Sequence, residues 1–414
     1  MVGAKDIRSQ WLRIPPRVSA GVLVLCLALA GCASKTTGPG DITDDGVRDT
    51  RLALWLARKA ELIAHDDAQY DLVLSGWFEQ SEADDILDRH PSAKLLAGLT
   101  TTWILDDAAW QTLLVTVANG GDPNGPLQIT DDMYLMFDCD EDGELDTHCS
   151  PPGWDDILAM DPRHTGWRQL VLSFYGVVGA QPQHDGVVID MVDAYPFCEG
   201  AWSEGVPESL SADAWVDAQA GLLEAVRDTV PASKWVFANA GRDFPDSSPF
   251  PEHLNGYLLE NALGELFGLE TPAELIASAE RALTTTESPH LVVYSVDTDD
   301  TGVIDADRFR TGLATSLLCD HTYFAFDSGP RDHGGVTGWW FPDAYEIELG
   351  TPAGAYEAVS GGYRRIFENG AVIVARDAPI PLLFDEPHRD TADGTVSTSF
   401  TVQPGDARIF LLEE

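Results

Sequence analysis

Short apolar runs alternate with longer helix-like stretches along most of this chain, and no other feature constrains its fold as strongly. Eight runs rich in Val, Leu, Ile, Phe and Tyr occur, at residues 70–75, 94–99, 133–137, 186–190, 234–239, 256–260, 290–296 and 322–327. The stretches between them, such as 212–230 and Pro272–Thr285, have the length and composition of helices. This order is typical of repeated βα units that build a parallel sheet.

Eight such units predict a closed barrel rather than an open sheet. Eight parallel strands with connecting helices form a TIM barrel, which usually takes about 250 residues, and residues 70–330 provide that length. A doubly wound open sheet is the competing layout, but no GxGxxG or P-loop glycine run follows the first apolar run. We therefore predict an α/β fold with a (β/α)8 TIM barrel in a domain over residues 51–342.

The pattern changes after residue 330 to extended runs without long helices. These runs lie at residues 345–349, 363–367, 371–376, 397–402 and 408–412. Asn369 and Gly370 separate two of them and form the strongest short-range hairpin signal. The sequence therefore predicts a small C-terminal antiparallel β-domain over residues 343–414.

The first 31 residues indicate a secretory signal peptide. Three arginines precede an apolar run at residues 18–30, which is shorter than the ~20 residues that a bilayer span needs. The run ends in Leu-Ala-Gly-Cys, which resembles a bacterial lipobox with Cys32 as the lipidated residue, although an ordinary signal with a chance cysteine is the alternative. We expect an exported lipoprotein of the cell envelope, at the outer membrane or cell surface. Residues 32–50 would be the linker, and the lipid its only membrane contact.

Charge and cysteine content restrict the partners and the disulfides. The 25 basic and 68 acidic residues give a net charge of −43, which repels phosphate backbones and makes nucleic acid an unsuitable partner. In an oxidising compartment Cys139 and Cys149, which flank a short loop, are expected to pair. Cys198 and Cys319 are expected to remain free thiols, because the barrel layout puts them near opposite ends.

Three of the apolar runs end in carboxylates, and those of the fourth and sixth runs are the candidate catalytic pair. In a TIM barrel the working face is at the carboxyl ends of the strands, where Asp190 ends the fourth run and Glu260 ends the sixth. Two carboxyl groups that face each other can cleave a glycosidic bond, one as acid and the other as nucleophile or base. Asp193 could replace Asp190, and the alternative is that strand-end acids only cap helices or bind loop amides.

Further polar and aromatic side chains follow other strands and are candidate substrate-binding residues. Flat rings stack on the apolar faces of sugars, and hydrogen-bonding groups bind the hydroxyls. The aromatic candidates are Trp77, Trp103, Tyr195, Trp339 and Trp340, and the polar ones are Asp193, Asn239 and Asp327. For each ring, ordinary packing beneath a loop is the alternative.

Several motifs together resemble a family of TIM-barrel glycoside hydrolases. They are Asp-Gly-Val-Val-Ile-Asp at 185–190, Asn-Gly-Tyr-Leu-Leu-Glu at 255–260, Tyr-Phe-Ala-Phe-Asp at 323–327, and the segments 348–352 and 363–370. The family is similar in layout to α-galactosidase-like and endo-α-polygalactosaminidase barrels, whose reactive acids lie on the fourth and sixth strands. The resemblance implies a carbohydrate substrate, Asp190 as nucleophile or base and Glu260 as proton donor. This chain departs by inserting acidic loops after the third and seventh runs.

The first acidic insertion has the spacing of a calcium loop. Carboxylates stand at positions 1, 3, 5 and 9, and glycine at position 6; the carboxylates are Asp138, Asp140, Asp142 and Asp146. Position 12 is Cys149 instead of Glu, so a shorter loop closed by a disulfide fits better than an EF-hand. We predict structural Ca²⁺ here, with a solvated acidic turn as the alternative. The loop 297–305 has a weaker form of the pattern, and its Asp297 or Asp299 could instead face the sugar.

Other chemistries have less support. The HExxH and GxSxG motifs are absent from the sequence, and nothing indicates a nucleotide or redox cofactor. Two functions therefore remain. The first is an exported glycoside hydrolase that uses Asp190 and Glu260. The second is a carbohydrate-binding or scaffold lipoprotein that keeps the barrel without turnover.

Overall fold

The computed structural model describes residues 50–55, 62, 70–136, 157–192, 211–241, 244, 248–264, 271–299, 301–327 and 342–413, apart from the side chain of residue 212. Up to residue 327 the strands are β1 (Ala53–Trp55), β2 (Leu72–Ser75), β3 (Lys94–Ala97), β4 (Trp103–Leu105), β5 (Ile157–Ala159), β6 (Gly186–Ile189), β7 (Trp235–Gly241), β8 (Gly256–Leu259), β9 (Leu291–Val296) and β10 (Thr322–Phe326). The helices are α1 (Gln80–Arg89), α2 (Ala108–Ala118), α3 (Thr165–Ala180), α4 (Ala212–Thr229), α5 (Pro272–Thr285) and α6 (Ala306–Leu318).

Eight of these strands form one parallel sheet that closes on itself. The strand order is β1-β2-β3-β6-β7-β8-β9-β10, and a parallel bridge between Leu52 and Phe324 joins the two ends. A path that starts at residue 53 of β1 and passes from each residue to its partner on the next strand returns to the line of β1 at position 45. The displacement along the strand after one full turn is therefore eight residues. Eight strands with a shear of eight define a TIM barrel. The predicted fold class is therefore confirmed.

Two strand predictions within the barrel were wrong. The described part of the run at 133–137 does not form a barrel strand, because Asp131–Met133 is a 3-10 turn and Tyr134 makes an antiparallel bridge to Met160. This segment belongs to an insertion that also contains the antiparallel pair of β4 and β5. The first barrel strand is β1, which has only three residues and so shows no readable alternation. The two errors offset each other, so β6 and β8 are still the fourth and sixth strands.

Apolar side chains fill the barrel and cover its outside. The interior cluster consists of Ala53, Trp55, Leu72, Leu74, Leu96, Val188, Trp235, Phe237, Leu258, Leu291, Val293, Tyr323 and Ala325. The alternate residues of the same strands face the helices, whose ends the sequence marks clearly. In α5, Thr271 and Glu274 form a capping box and Pro272 occupies the first turn. Because every barrel strand buries both faces, the strands are short continuous apolar runs.

The C-terminal part is an antiparallel sheet of six strands. They are β11 (Glu357–Val359), β12 (Gly362–Phe367), β13 (Gly370–Ala375), β14 (Ile380–Asp390), β15 (Val396–Val402) and β16 (Ala407–Leu412). The predicted hairpin joins β12 to β13, with Phe367 paired to Gly370. The predicted strand at 345–349 is absent, since Asp343–Glu346 is a 3-10 turn, and β11 and β14 were not predicted. The C-terminal β-domain itself is confirmed.

One face of this sheet packs on α6 of the barrel. Val372, Val374 and Ile409 belong to the same apolar core as the helix layer. Arg365, which is buried in β12, donates to the backbone oxygen of Leu317 at the end of α6 and pairs with Asp320. Within the described part of the chain, no helix combines the length and the hydrophobicity needed to cross a bilayer.

Candidate active site

Three consecutive barrel strands end in inward-facing polar side chains. Side chains alternate between the two faces of a strand, and Val188, Phe237 and Leu258 belong to the interior cluster. The residue two positions further along each strand points the same way. These residues are Asp190, Asn239 and Glu260.

The side-chain amide of Asn239 bridges the two carboxylates. Its Nδ2 donates to Oδ1 of Asp190 at 3.0 Å and to Oε2 of Glu260 at 2.8 Å. The two carboxylate oxygens are therefore separated by no more than the sum of these lengths, about 5.8 Å. The structure thus brings together the two acids that the sequence selected, with a shared donor between them.

The backbone around Asn239 fixes the direction of that amide. Asn239 is 3% exposed, and its Oδ1 accepts a hydrogen bond from the backbone N–H of Gly241 at 2.9 Å. The pairing of β7 with β8 is irregular at this point, and Gly241 has a φ of 61°, which suits glycine. Since the oxygen is engaged by a donor, the nitrogen must face the carboxylates.

Each carboxylate residue is held by the neighbouring strand and followed by a sharp turn. The N–H of Asp190 donates to the carbonyl of Leu99 at 3.1 Å, and the N–H of Glu260 donates to that of Gly241 at 2.8 Å. The next residues, Met191 and Asn261, have φ values of 58° and 49°, in the left-handed region that non-glycine residues rarely adopt. Residues in such conformations concentrate at functional sites.

The barrel register arranges the inward-facing residues in layers. In a TIM barrel each layer takes four residues from alternate strands, and the registers with the shear of eight define two layers at the carboxyl ends. The lower layer consists of Trp55, Gly98, Asn239 and Ser295. The upper layer consists of Gly76, Asp190, Glu260 and Asp327. Three of the four positions in the upper layer are therefore carboxylates, which rest on a layer that contains Asn239.

A second group of acids follows β9. The Nδ2 of Asn261 donates to Oδ1 of Asp297 at 2.5 Å and to Oδ1 of Asp299 at 3.0 Å. Arg308 of α6 forms an ion pair with Asp299. Burial raises the pKa of Asp297 to about 6, against the two hydrogen bonds it accepts, and the charges of Asp299 and Asp327 raise it further. Asp297 is therefore a carboxyl group that titrates near neutral pH beside the strand-end acids.

In the loop after β9, two of the described acidic side chains already have protein partners. Asp305 caps α6 by accepting from the N–H groups of Asp307 and Arg308, and the guanidinium of Arg308 already neutralises Asp299. Among the residues that the structure describes, no three or more His, Cys, Asp or Glu side chains are grouped to hold a metal ion. The predicted ligands Asp138, Asp140, Asp142 and Asp146 lie outside the described residues.

Two predicted stacking residues do not lie at the mouth of the barrel. Trp103 is 2% exposed and its ring packs against Trp215, with centroids 6.4 Å apart. Trp77 makes an edge contact with His184, which precedes β6 and so lies at the opposite end of that strand from Asp190. Trp103 is therefore a buried packing residue and Trp77 a partly buried one, in agreement with the alternative interpretation of these rings.

Several other predicted residues lie outside the described residues. They are Asp193, Tyr195, Trp339, Trp340, the lipidation residue Cys32, and the cysteines Cys139, Cys149 and Cys198. Cys319 is described and is a free thiol, as expected, and burial raises its pKa.

Asp327 stands in the upper layer, on the strand next to that of Asp297. Sequence reasoning missed Trp55, because its strand was not recognised, and Asn261, which carries no motif.

No protein-family model matches this chain, and no match was found among curated proteins. Among solved structures it is similar to an α-amylase from Malbranchea cinnamomea, with 11% identity, 91% of this chain and 98% of that chain covered and a TM-score of 0.48. It is also similar to a noncanonic maltogenic α-amylase, AmyB, from Thermotoga neapolitana, with 9% identity, 89% and 98% coverage and a TM-score of 0.48. The glycoside hydrolase domain of PelA from Pseudomonas aeruginosa gives 15% identity, 67% and 95% coverage and a TM-score of 0.39. Likenesses at this level do not decide a function.

Proposed function

We propose that this protein is a glycoside hydrolase in which Asp190 is the nucleophile and Glu260 is the proton donor. The observation that supports this proposal most directly is the shared hydrogen-bond donor, Nδ2 of Asn239, between the two carboxylates. Acids that served only to keep the protein soluble would be expected to lie far apart, because like charges repel each other in a partly buried site. Holding them together is useful when both act on the same bond.

The separation of the two acids favours a retaining mechanism. Retaining glycosidases place their carboxyl groups about 5 to 5.5 Å apart, whereas inverting enzymes leave about 6.5 to 9.5 Å for a water molecule. The limit of about 5.8 Å between the bridged oxygens fits the first class. We therefore propose that the anomeric configuration is retained.

The chemistry takes two steps. Glu260 gives its proton to the glycosidic oxygen while Asp190 attacks the anomeric carbon, so that the C–O bond to the leaving group breaks and an ester to Asp190 forms. Glu260, now a carboxylate, then takes a proton from water, whose oxygen attacks the anomeric carbon and releases Asp190. Asn239 keeps the two side chains at working distance in both steps. No nucleotide or redox cofactor enters this scheme.

Kinetics of matched variants would test the assignment. The wild type is screened on 4-nitrophenyl α- and β-glycosides and on polysaccharides, and the best substrate is used with Asp190→Asn and Glu260→Gln. We expect kcat to fall by about 10³-fold or more in both. Asp228→Asn and Glu252→Gln, which alter exposed acids that precede β7 and β8 and so lie at the opposite end of the barrel, should retain wild-type rates.

Two further readouts examine the mechanism itself. Proton NMR of the first product formed should show the anomer of the substrate, and azide should restore activity to Asp190→Asn by replacing the missing nucleophile. Product of the opposite anomer would reject the retaining assignment. Sugar binding that persists without turnover, and that neither active-site substitution changes, would indicate the non-catalytic carbohydrate-binding alternative.

We also propose that the protein is exported and lipid-anchored. The apolar run at 18–30 and the Leu-Ala-Gly-Cys sequence that ends at Cys32 support this proposal. Metabolic labelling with a fatty acid in a bacterial host should mark the wild type but not Cys32→Ala. A labelled Cys32→Ala variant would contradict the proposed attachment site.

A further inference from the structure

The indole nitrogen of Trp55 is a buried hydrogen-bond donor without an acceptor among the residues that the structure describes. Trp55 ends β1 and is 5% exposed, and its Nε1 makes no hydrogen bond in the structure as described. Buried donors are nearly always paired in folded proteins, because an unpaired one has lost its bond to water without replacement. An exception therefore requires a reason.

The position of Trp55 in the barrel provides a reason for its unpaired nitrogen. Trp55 belongs to the lower of the two polar layers, and its strand β1 is the first of the barrel while β7, with Asn239, is the fifth. In a ring of eight strands the two residues lie opposite each other. The other members of the layer, Gly98 and Ser295, are small, so the indole is the bulkiest side chain of these four described residues. It lies across the barrel from the amide that bridges Asp190 and Glu260.

The surrounding charges restrict what the indole can bind. The layer directly above contains Asp190, Glu260 and Asp327, and Asp297 lies just beyond Ser295 on β9. Anionic groups such as carboxylates, sulfates and phosphates are repelled from such a site. An uncharged oxygen is a suitable acceptor for the N–H, and sugar hydroxyls are the acceptors that a glycosidase site contains in number.

We propose that Trp55 is a substrate-binding residue whose indole N–H donates to a hydroxyl oxygen of the sugar held between Asp190 and Glu260. This inference rests on the proposed function and extends it to a specificity determinant on the far side of the cavity. It implies a glycone with a hydroxyl directed toward β1 and without an acidic group there. A site that contains a buried donor discriminates against sugars that lack the matching oxygen, because the donor then stays unpaired.

A matched pair of tryptophan variants provides the first test. Trp55→Phe removes the N–H and reduces the ring, and Trp235→Phe does the same to another tryptophan of the interior cluster, also 5% exposed but at the start of its strand. With the 4-nitrophenyl glycoside that the wild type cleaves best, we expect kcat/KM to fall about tenfold for Trp55→Phe. Trp235→Phe should stay within about threefold of the wild type. Trp55→Tyr, which also lacks the indole, replaces the phenylalanine variant if that one does not fold.

NMR provides a readout that packing alone would not change. In the Glu260→Gln background, the indole ¹H–¹⁵N signal that is missing from the Trp55 variant is followed while the same glycoside is added. We expect this signal to move on binding and to lose exchange with water. Equal kinetics for the two phenylalanine variants, or a Trp55 signal that does not move, would overturn the inference and indicate that a water molecule occupies the site. Such results leave the proposed function intact if Asp190→Asn and Glu260→Gln are inactive, whereas a wild type without turnover overturns both.

Discussion

Two asparagines perform the same task at neighbouring positions of this molecule. Asn239 donates both amide protons to Asp190 and Glu260, and Asn261 donates to Asp297 and Asp299. An amide nitrogen has two donor positions and no net charge, so it can hold two carboxylates close together without neutralising either. Single residues therefore fix the spacing of acids that would otherwise separate.

Removing the first of these amides should damage the chemistry more than the fold. We expect Asn239→Ala to lower kcat about 10²-fold, because the two acids lose their common donor and their alignment. Asn119→Ala is the matched control, since the nitrogen of that amide also donates two hydrogen bonds, but only to the backbone oxygens of Val115 and Leu127. It should lower thermal stability and leave kcat unchanged. An Asn239→Ala enzyme with wild-type kcat would contradict the assigned role.

The buried carboxyl group of Asp297 should make stability depend on pH. Its pKa in the folded protein is about 6, against an ordinary value of 3.8, so the folded state binds the proton more tightly than the unfolded state does. The stabilising contribution is complete below about pH 4 and is lost as the pH rises through 6. We expect Asp297→Asn to raise the free energy of unfolding above pH 6, by at most about 3 kcal/mol. Urea denaturation at pH 4.5 and 7.5 measures the difference, with the exposed Asp307→Asn as control.

Single residues were predictable where strand geometry alone determined their position. Asp190, Asn239 and Glu260 each end an apolar run, and the carboxyl ends of parallel strands meet at one face of a barrel. The tryptophans were not predictable in this way. Trp103 lies in an inserted antiparallel pair of strands, and Trp77 contacts His184 at the start of β6. Neither position could be predicted, because the path of a loop depends on contacts between residues that are distant in the sequence.

At the scale of elements, two adjacent arginines of β12 differ sharply in environment. Arg365 is 4% exposed and donates to backbone oxygens of Leu317 and Gly354, whereas Arg364 is only partly buried and pairs with the exposed Glu357. Hydrogen bonds to a buried charged group contribute about 1.5 to 3 kcal/mol each, and exposed ion pairs about 0 to 1 kcal/mol. We expect Arg365→Met to lower the free energy of unfolding by about 2 to 4 kcal/mol and Arg364→Met by less than about 1 kcal/mol. Chemical denaturation of both variants tests this, and equal losses would contradict it.

Helices were easier to predict than short strands. Helices α4 and α5 begin at the expected residues and end within one residue of the expected ends, because the sequence places capping residues, Ser211 and Thr271, directly before them. The strand β1 has three residues and β11 has three, too few for a period to emerge. The long β14 contains Pro381 and Pro387, which argue against a strand in any local interpretation, and pairs across an irregular register with β15.

For the whole molecule, calcium binding at residues 138–146 is a prediction that chelation can test. If Ca²⁺ binds the folded state alone, it stabilises the protein by about 2.7 kcal/mol at a hundredfold excess over Kd. EDTA should therefore lower the thermal midpoint of the wild type by several degrees. A double variant, Asp140→Asn with Asp142→Asn, should show the lower midpoint with or without EDTA. A wild type that does not respond to EDTA would contradict the prediction.

The closure of the barrel between β1 and β10 decides when the cavity can be completed during folding. Leu52 and Phe324, which form the joining bridge, are 272 positions apart along the chain. Contacts between such distant segments form slowly, because a long loop must be ordered first. We therefore expect a folding chain to assemble most of its helices and strands while the ring stays open at one seam. The wall that places Trp55 opposite Asn239 is complete only when β10 pairs with β1, so the cavity is finished by one of the last pairings to form.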